Sequence, residues 1–252
     1  MTTIVGVHGA FHQLWGPHEV AARWIPAIRD GLWHAGATID PDDVSIAFYG
    51  DLFRANATDG RPTDEELLNV AQDAGLTDVI EAIAGPDGLE VIAQAVGKQT
   101  LRQLIDQLGR YFTNDELRAR VQGRLEAVVT EQTRVIIAHS MGTVVAYETL
   151  CRHPEWPVET LVTIGSPLGG DWLFGHLRPM PADGVGAWPG SVGHWCNVAS
   201  VGDRACEEPE LANRFGPRVV DRRVDNGHRA HDPEPYLNAP TTGRLLAEAL
   251  GG

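Results

Sequence analysis

Ser140 stands where a short apolar run gives way to a helical pattern, in Ile137-Ala138-His139-Ser140-Met141-Gly142-Thr143. A serine in a tight turn between a strand and a helix has its hydroxyl lifted clear of the sheet, where it can act as a nucleophile. Strand and helix can pack that closely only if the positions two before and two after the serine are small. Here they are Ala138 and Gly142. The bland alternative is a serine that merely caps a helix. A hydroxyl becomes nucleophilic when a base takes its proton, and the base needs a carboxylate to orient it. When the serine sits on a strand-to-helix turn, the chain order expected is serine, acid, histidine. Asp203 closes a later apolar run in Val201-Gly202-Asp203 and is the expected acid; its rival is Asp171 in Gly169-Gly170-Asp171. The base is expected after the last strand, where His228 and His231 both occur. His231 is the choice, because it precedes Pro233 and the helical tail and can fold back over the sheet edge. The negative charge that develops on a substrate carbonyl needs two backbone donors. The N–H of Met141, next to the nucleophile, is one. The turn His8-Gly9-Ala10-Phe11 after the first strand supplies the other, Ala10 first and Phe11 second.

The elements that must hold these residues follow from periodicity. Apolar runs at 3–7, 44–49, 133–138, 160–164, 194–201 and 218–224 read as strands. Residues 17–36, with Val20, Trp24, Ile28 and Leu32 on one face, read as a helix, as do the stretches 140–152 and 240–250. Strands alternating with helices predict an α/β fold, a mostly parallel sheet of about six strands with helices on both faces. Ligands of such sheets bind beyond the carboxyl ends of the strands. His8-Gly9, Ser140, Asp203 and the His231 loop all fall there. Residues 55–112 break the alternation. They contain no convincing strand, open with the capping pattern Thr63-Asp64-Glu65-Glu66, and are punctuated by Gly75, Gly85, Gly88 and Gly97. They are expected to form a helical cap over the sheet edge, on a core made of residues 1–54 and 113–252. A second capping pattern, Thr113-Asn114-Asp115-Glu116, is expected to open the next helix.

These residues resemble the α/β-hydrolase superfamily, in particular small bacterial lipases and serine peptidases. The resemblance rests on Val7-His8-Gly9-Ala10, Ala138-His139-Ser140-Met141-Gly142, Ile164-Gly165-Ser166-Pro167-Leu168, the run from Trp195 to Asp203, and His231 with Tyr236-Leu237. Alanine replaces the usual glycine at 138. The resemblance implies a Ser140–His231–Asp203 triad without a cofactor, acting on an ester, thioester or amide, esters before amides, through an acyl-serine. It also implies that the hairpin opening larger members is missing. The same triad would serve an acyltransferase or cyclase, and the fold alone would serve a ligand-binding protein without turnover.

Composition narrows the field. Among 252 residues, 34 acidic side chains against 20 basic ones give a net charge of −14, which argues against a nucleic-acid backbone or an anionic membrane as partner. No apolar run reaches membrane-spanning length, and the first residues lack the basic region of a signal peptide. Three cysteines, an odd number without metal-ligand spacing, fit a reduced, cytoplasmic setting. Of the histidine pairs, neither His8 with His12 nor His228 with His231 has the helical spacing or added ligands of a metal site. No glycine-rich dinucleotide motif follows the first strand. The expected partner is a small acyl substrate with an apolar group, in keeping with the Leu, Ile, Val and Ala content of 55–112.

Overall fold

The computed structural model describes residues 3–54 and 98–251. The expected cap therefore lies outside the described residues from 55 to 97. Six strands form one sheet in the order β2-β1-β3-β4-β5-β6: β1 (Ile4–Val7), β2 (Val44–Ala47), β3 (Val135–His139), β4 (Thr160–Ile164), β5 (His194–Ser200) and β6 (Val219–Val224). Every neighbouring pair is parallel. The fold is α/β, as the alternation of apolar runs and helices requires.

Adjacent strand residues point to opposite faces, and both faces of this sheet are covered. On one, Ile4, Val135, Ile137 and Val162 pack with Val20, Trp24, Ile28 and Leu32 of α1 (Pro17–His34). Leu237 of α7 (Pro233–Leu237) and Leu246 of α8 (Pro240–Ala249) join that layer. On the other, Val5, Val7, Ile136 and Leu161 meet α2 (Lys98–Thr113), α3 (Asp115–Glu126) and α4 (Met141–Arg152). Short helices α5 (Asp171–Phe174) and α6 (Ala212–Phe215) close the same side. The last residues assigned by sequence to the cap fall in α2, whose Leu108, Tyr111 and Phe112 are buried in this second layer. The capping pattern before α3 acts one residue later than expected. Asn114, not Thr113, is the N-cap and its side chain accepts the Leu117 N–H at 2.9 Å, while the Thr113 hydroxyl bonds back to the Gly109 carbonyl. Among the described residues, no helix is long and apolar enough to cross a membrane.

Candidate active site

The site is assembled at the carboxyl end of the sheet, from the tips of β1, β3 and β5 and the loop after β6. β3 runs into α4 through Ser140, whose backbone adopts φ 52° and ψ −129°. A non-glycine residue in that region is strained by about 1–3 kcal/mol and persists only where its surroundings hold it. Its N–H bonds to the Ile164 carbonyl at 3.1 Å, and its carbonyl accepts from the Thr143 hydroxyl and N–H. Ser140 occupies the N-cap position, yet its side chain makes no capping bond. The capping alternative does not hold, and the hydroxyl is directed elsewhere. Two glycines make the approach fit. A Cβ on Gly9 would lie 2.8 Å from the Ser140 Cβ, and one on Gly142 would lie 2.4 Å from the carbonyl oxygens of Val7 and His8.

His231 Nε2 lies 3.0 Å from Ser140 Oγ. Its Nδ1 lies 2.9 and 3.0 Å from the two carboxylate oxygens of Asp203. An ionised carboxylate can only accept, so the proton sits on Nδ1 and the bare Nε2 faces the serine. Asp203 is fully satisfied. Tyr236 donates its hydroxyl to Oδ2 at 2.6 Å, and the Ala205 N–H donates to Oδ1 at 3.0 Å. Burial alone would raise the pKa of this carboxyl. The bonds from His231, Tyr236 and Ala205 outweigh it and hold the group below the usual carboxylate range. Tyr236 is itself held, accepting the Ser200 N–H at 2.7 Å, and burial beside Cys206 and Asp203 raises its own pKa.

Of the residues expected from sequence, Ser140, Asp203 and His231 are brought together in one hydrogen-bonded chain. Asp171 is not. It is 82% exposed and pairs with Arg214. His228 lies in an exposed turn (Gly227–Arg229). The Met141 N–H is at the first position of α4, where helix donors have no partner within the helix. Ala10 is buried in the turn after β1. The N–H of Phe11, the second candidate of that turn, has a partner: it donates to Gln107 Oε1 at 3.1 Å.

Three further histidines accompany Ser140, His231 and Asp203, and burial lowers the pKa of each, most for His8 and His139. His139 Nε2 donates to the His231 carbonyl at 2.8 Å, so the residue before Ser140 ties down the loop that carries His231. His8 accepts the Tyr49 N–H on Nε2 at 3.1 Å and donates Nδ1–H to the Gly9 carbonyl at 2.7 Å. His12 Nδ1 faces the carbonyls of Gly9 and Ala10 at 3.2 and 2.8 Å. Sequence reasoning missed the contacts of His139, Tyr236 and Gln107. All are long-range; His139 was signalled only by its place beside Ser140 and Tyr236 only by its place after His231 in the resemblance, and Gln107 by neither. Among the described residues, no group of three or more His, Cys, Asp or Glu side chains is placed to hold a metal ion.

The sheet is all parallel, Ser140 sits in a strained turn between β3 and α4, and Ser140, Asp203 and His231 follow in that order along the chain. No protein-family model and no curated protein matches this sequence. Among solved structures, the chain is similar to an esterase of Pyrobaculum calidifontis and to a second structure described as a hyperthermophilic esterase from that archaeon. For both, identity is 14%, the match covers 99% of this chain and 76% of theirs, and the TM-score is 0.43.

Proposed function

We propose that this chain is a serine hydrolase that cleaves esters through an acyl-serine intermediate, with Ser140 as nucleophile, His231 as base and Asp203 as its orienting acid. The observation that carries the reading is the unbroken chain Asp203–His231–Ser140 ending on a hydroxyl that its own helix does not use. As Ser140 Oγ attacks the carbonyl carbon, its proton passes to His231 Nε2. Asp203 stabilises the imidazolium without accepting its proton. The substrate oxygen becomes an oxyanion, which the Ala10 and Met141 N–H groups would bind. Collapse expels the alcohol, protonated by His231, and leaves the acyl group on Ser140. Water, deprotonated by the same imidazole, then releases the acid and restores the serine.

The substrate proposed is a small ester with an apolar acyl group. Esters of p-nitrophenol with graded chain length test it, alongside a fluorophosphonate that reacts with activated serines. Label on Ser140 and loss of turnover in Ser140→Ala are expected. Residual catalysis on the order of 10³-fold over water can survive from the oxyanion hole and binding alone. Label on another serine, or an alanine variant as active as the parent, rejects the proposal. Capture of the acyl group by an added amine or alcohol in preference to water would redirect it to acyl transfer.

A further inference from the structure

The oxyanion turn is aimed by its hydrogen bonds, and the last of them comes from α2. In a planar trans peptide the carbonyl and the following N–H point opposite ways. His8 and His12 pull the Gly9 carbonyl to one side, which sends the Ala10 N–H to the other. His12 pulls the Ala10 carbonyl, which sends the Phe11 N–H away from it, and Gln107 Oε1 receives that N–H. Gln107 is only 4% exposed, and its amide also donates to Gln13 Oε1 at 2.8 Å, so both its polar ends are spent on the segment between β1 and α1. The turn needs a brace. Phe11 is 39% exposed and has φ 69°, a region an aromatic side chain seldom occupies, so local preference does not hold it. The brace is itself firm, since Leu108 and Tyr111 of α2 are locked in the core and the Tyr111 hydroxyl bonds to buried Glu148 at 2.8 Å.

We propose that Gln107 is a positioning residue for the oxyanion hole. By occupying the Phe11 N–H it fixes the peptide after the Ala10 donor and leaves Ala10 and Met141 as the two donors. The proposal rests on the acyl-serine reading above and adds a residue from outside the triad and its motif. A donor displaced by about 1 Å can cost two orders of magnitude in rate, and losing one outright costs about 10²–10³-fold.

Two variants of the full chain test it. Gln107→Met keeps the shape and removes both bonds. Gln107→Glu keeps an acceptor for the Phe11 N–H. Three quantities are read: kcat and KM for p-nitrophenyl acetate, exchange of the Phe11 amide hydrogen by NMR, and the thermal midpoint. Expected in Gln107→Met are a kcat lower by about 10- to 100-fold, KM within about threefold, and faster Phe11 exchange. Expected in Gln107→Glu are slow exchange and a kcat within about fivefold of the parent, because a carboxylate accepts a backbone N–H strongly. The proposal is overturned if Gln107→Met keeps its kcat, or loses it with Phe11 exchange unchanged. It is also overturned if both variants lose kcat in step with the thermal midpoint, the mark of a purely structural role. Where Gln107→Met does not fold, a Gln107→Glu kcat reduced more than about tenfold overturns it by itself. A parent chain inert to both ester and fluorophosphonate removes the acyl-serine reading and this proposal with it. An active parent with an unaffected Gln107→Met removes this proposal alone.

Discussion

A carboxylate that accepts from three donors and a histidine with opposed partners on its two nitrogens leave little freedom at the residue scale. Asp203 takes the His231, Tyr236 and Ala205 donors, and its pKa is pushed below the ordinary range, so it stays charged throughout the neutral region. That charge keeps the proton on His231 Nδ1. Asp203→Asn replaces an acceptor with a group able to donate, turns the tautomer over, and points an N–H at Ser140. The expected loss in kcat is about 10⁴-fold, with little change in fold. Asp171→Asn and His228→Ala are the matched controls. Both groups are exposed and lie outside the hydrogen-bonded chain of Ser140, His231 and Asp203, so both variants should retain the parent rate in the same ester assay. An inactive Asp171→Asn or His228→Ala would mean that the acid or base operating in solution differs from the one in this geometry.

The elements carry the site through a second buried network. Helix α4 begins just after Ser140 and, two turns on, presents Glu148, which is fully buried. It accepts from Tyr111 of α2 at 2.8 Å, from Arg118 Nε and Gln122 Nε2 of α3 at 2.9 and 3.0 Å, and from the Arg178 N–H at 3.0 Å. One carboxylate thus ties together three helices of one layer. Glu148→Gln strands the buried Arg118 guanidinium, and the cost expected in urea unfolding is about 3–5 kcal/mol. Ser140, His231 and Asp203 share no hydrogen bond with this network, and its link to the turn after β1 runs through α2 and Gln107. A loss below about 1 kcal/mol would show that the network is relieved by water or by rearrangement. None of this was legible in the sequence, where Glu148 is an unremarked residue in a helical stretch. Strands β1, β3 and β4 were legible because a strand buried on both faces must be an apolar run, which the half-exposed edge strand β6, with Asp221, Arg222 and Arg223, is not; strand ends shifted by only a residue or two. The serine turn was legible because close packing demands small neighbours, and Asp203 and His231 because each closes or follows a strand on the carboxyl side. Tyr236, Gln107 and Glu148 were not, since their roles depend on partners far away in sequence. The cap before α3 was misplaced because Thr113 and Asn114 are both able to cap, and only the helix start distinguishes them.

At the scale of the whole molecule, burial of His8 and His139 at the carboxyl edge of the sheet favours their neutral forms, and that links stability to pH. His8 and His139 are fully buried, and burial drives both pKa values well below 6.5. His12, less buried, shifts the same way. The partners of His8 and His139 are already assigned: His8 spends its one proton on the Gly9 carbonyl and accepts the Tyr49 N–H, and His139 spends its own on the His231 carbonyl. A second proton on His8 would face the Tyr49 N–H. One on His139 would sit on Nδ1, which has no partner among the described residues. In the unfolded chain these rings titrate near 6.5, so below that pH the unfolded state binds protons that the folded state refuses. The unfolding free energy therefore rises with pH, and what is fully present above about 7 is lost as pH falls through 6 and 5. Each fully buried histidine contributes a slope of about 1.4 kcal/mol per pH unit over that interval. Asp203 acts in the same direction, but its depressed pKa places its effect below about pH 4, outside the window. Urea unfolding at pH 5, 6, 7 and 8 measures the slope. Replacing His139 with Gln keeps an N–H for the His231 carbonyl and removes one titrating ring, so the slope between pH 5 and 6 should fall by one histidine's share. An unchanged slope in His139→Gln, or a parent equally stable at pH 5 and 7, would show that these rings take up protons in the folded state.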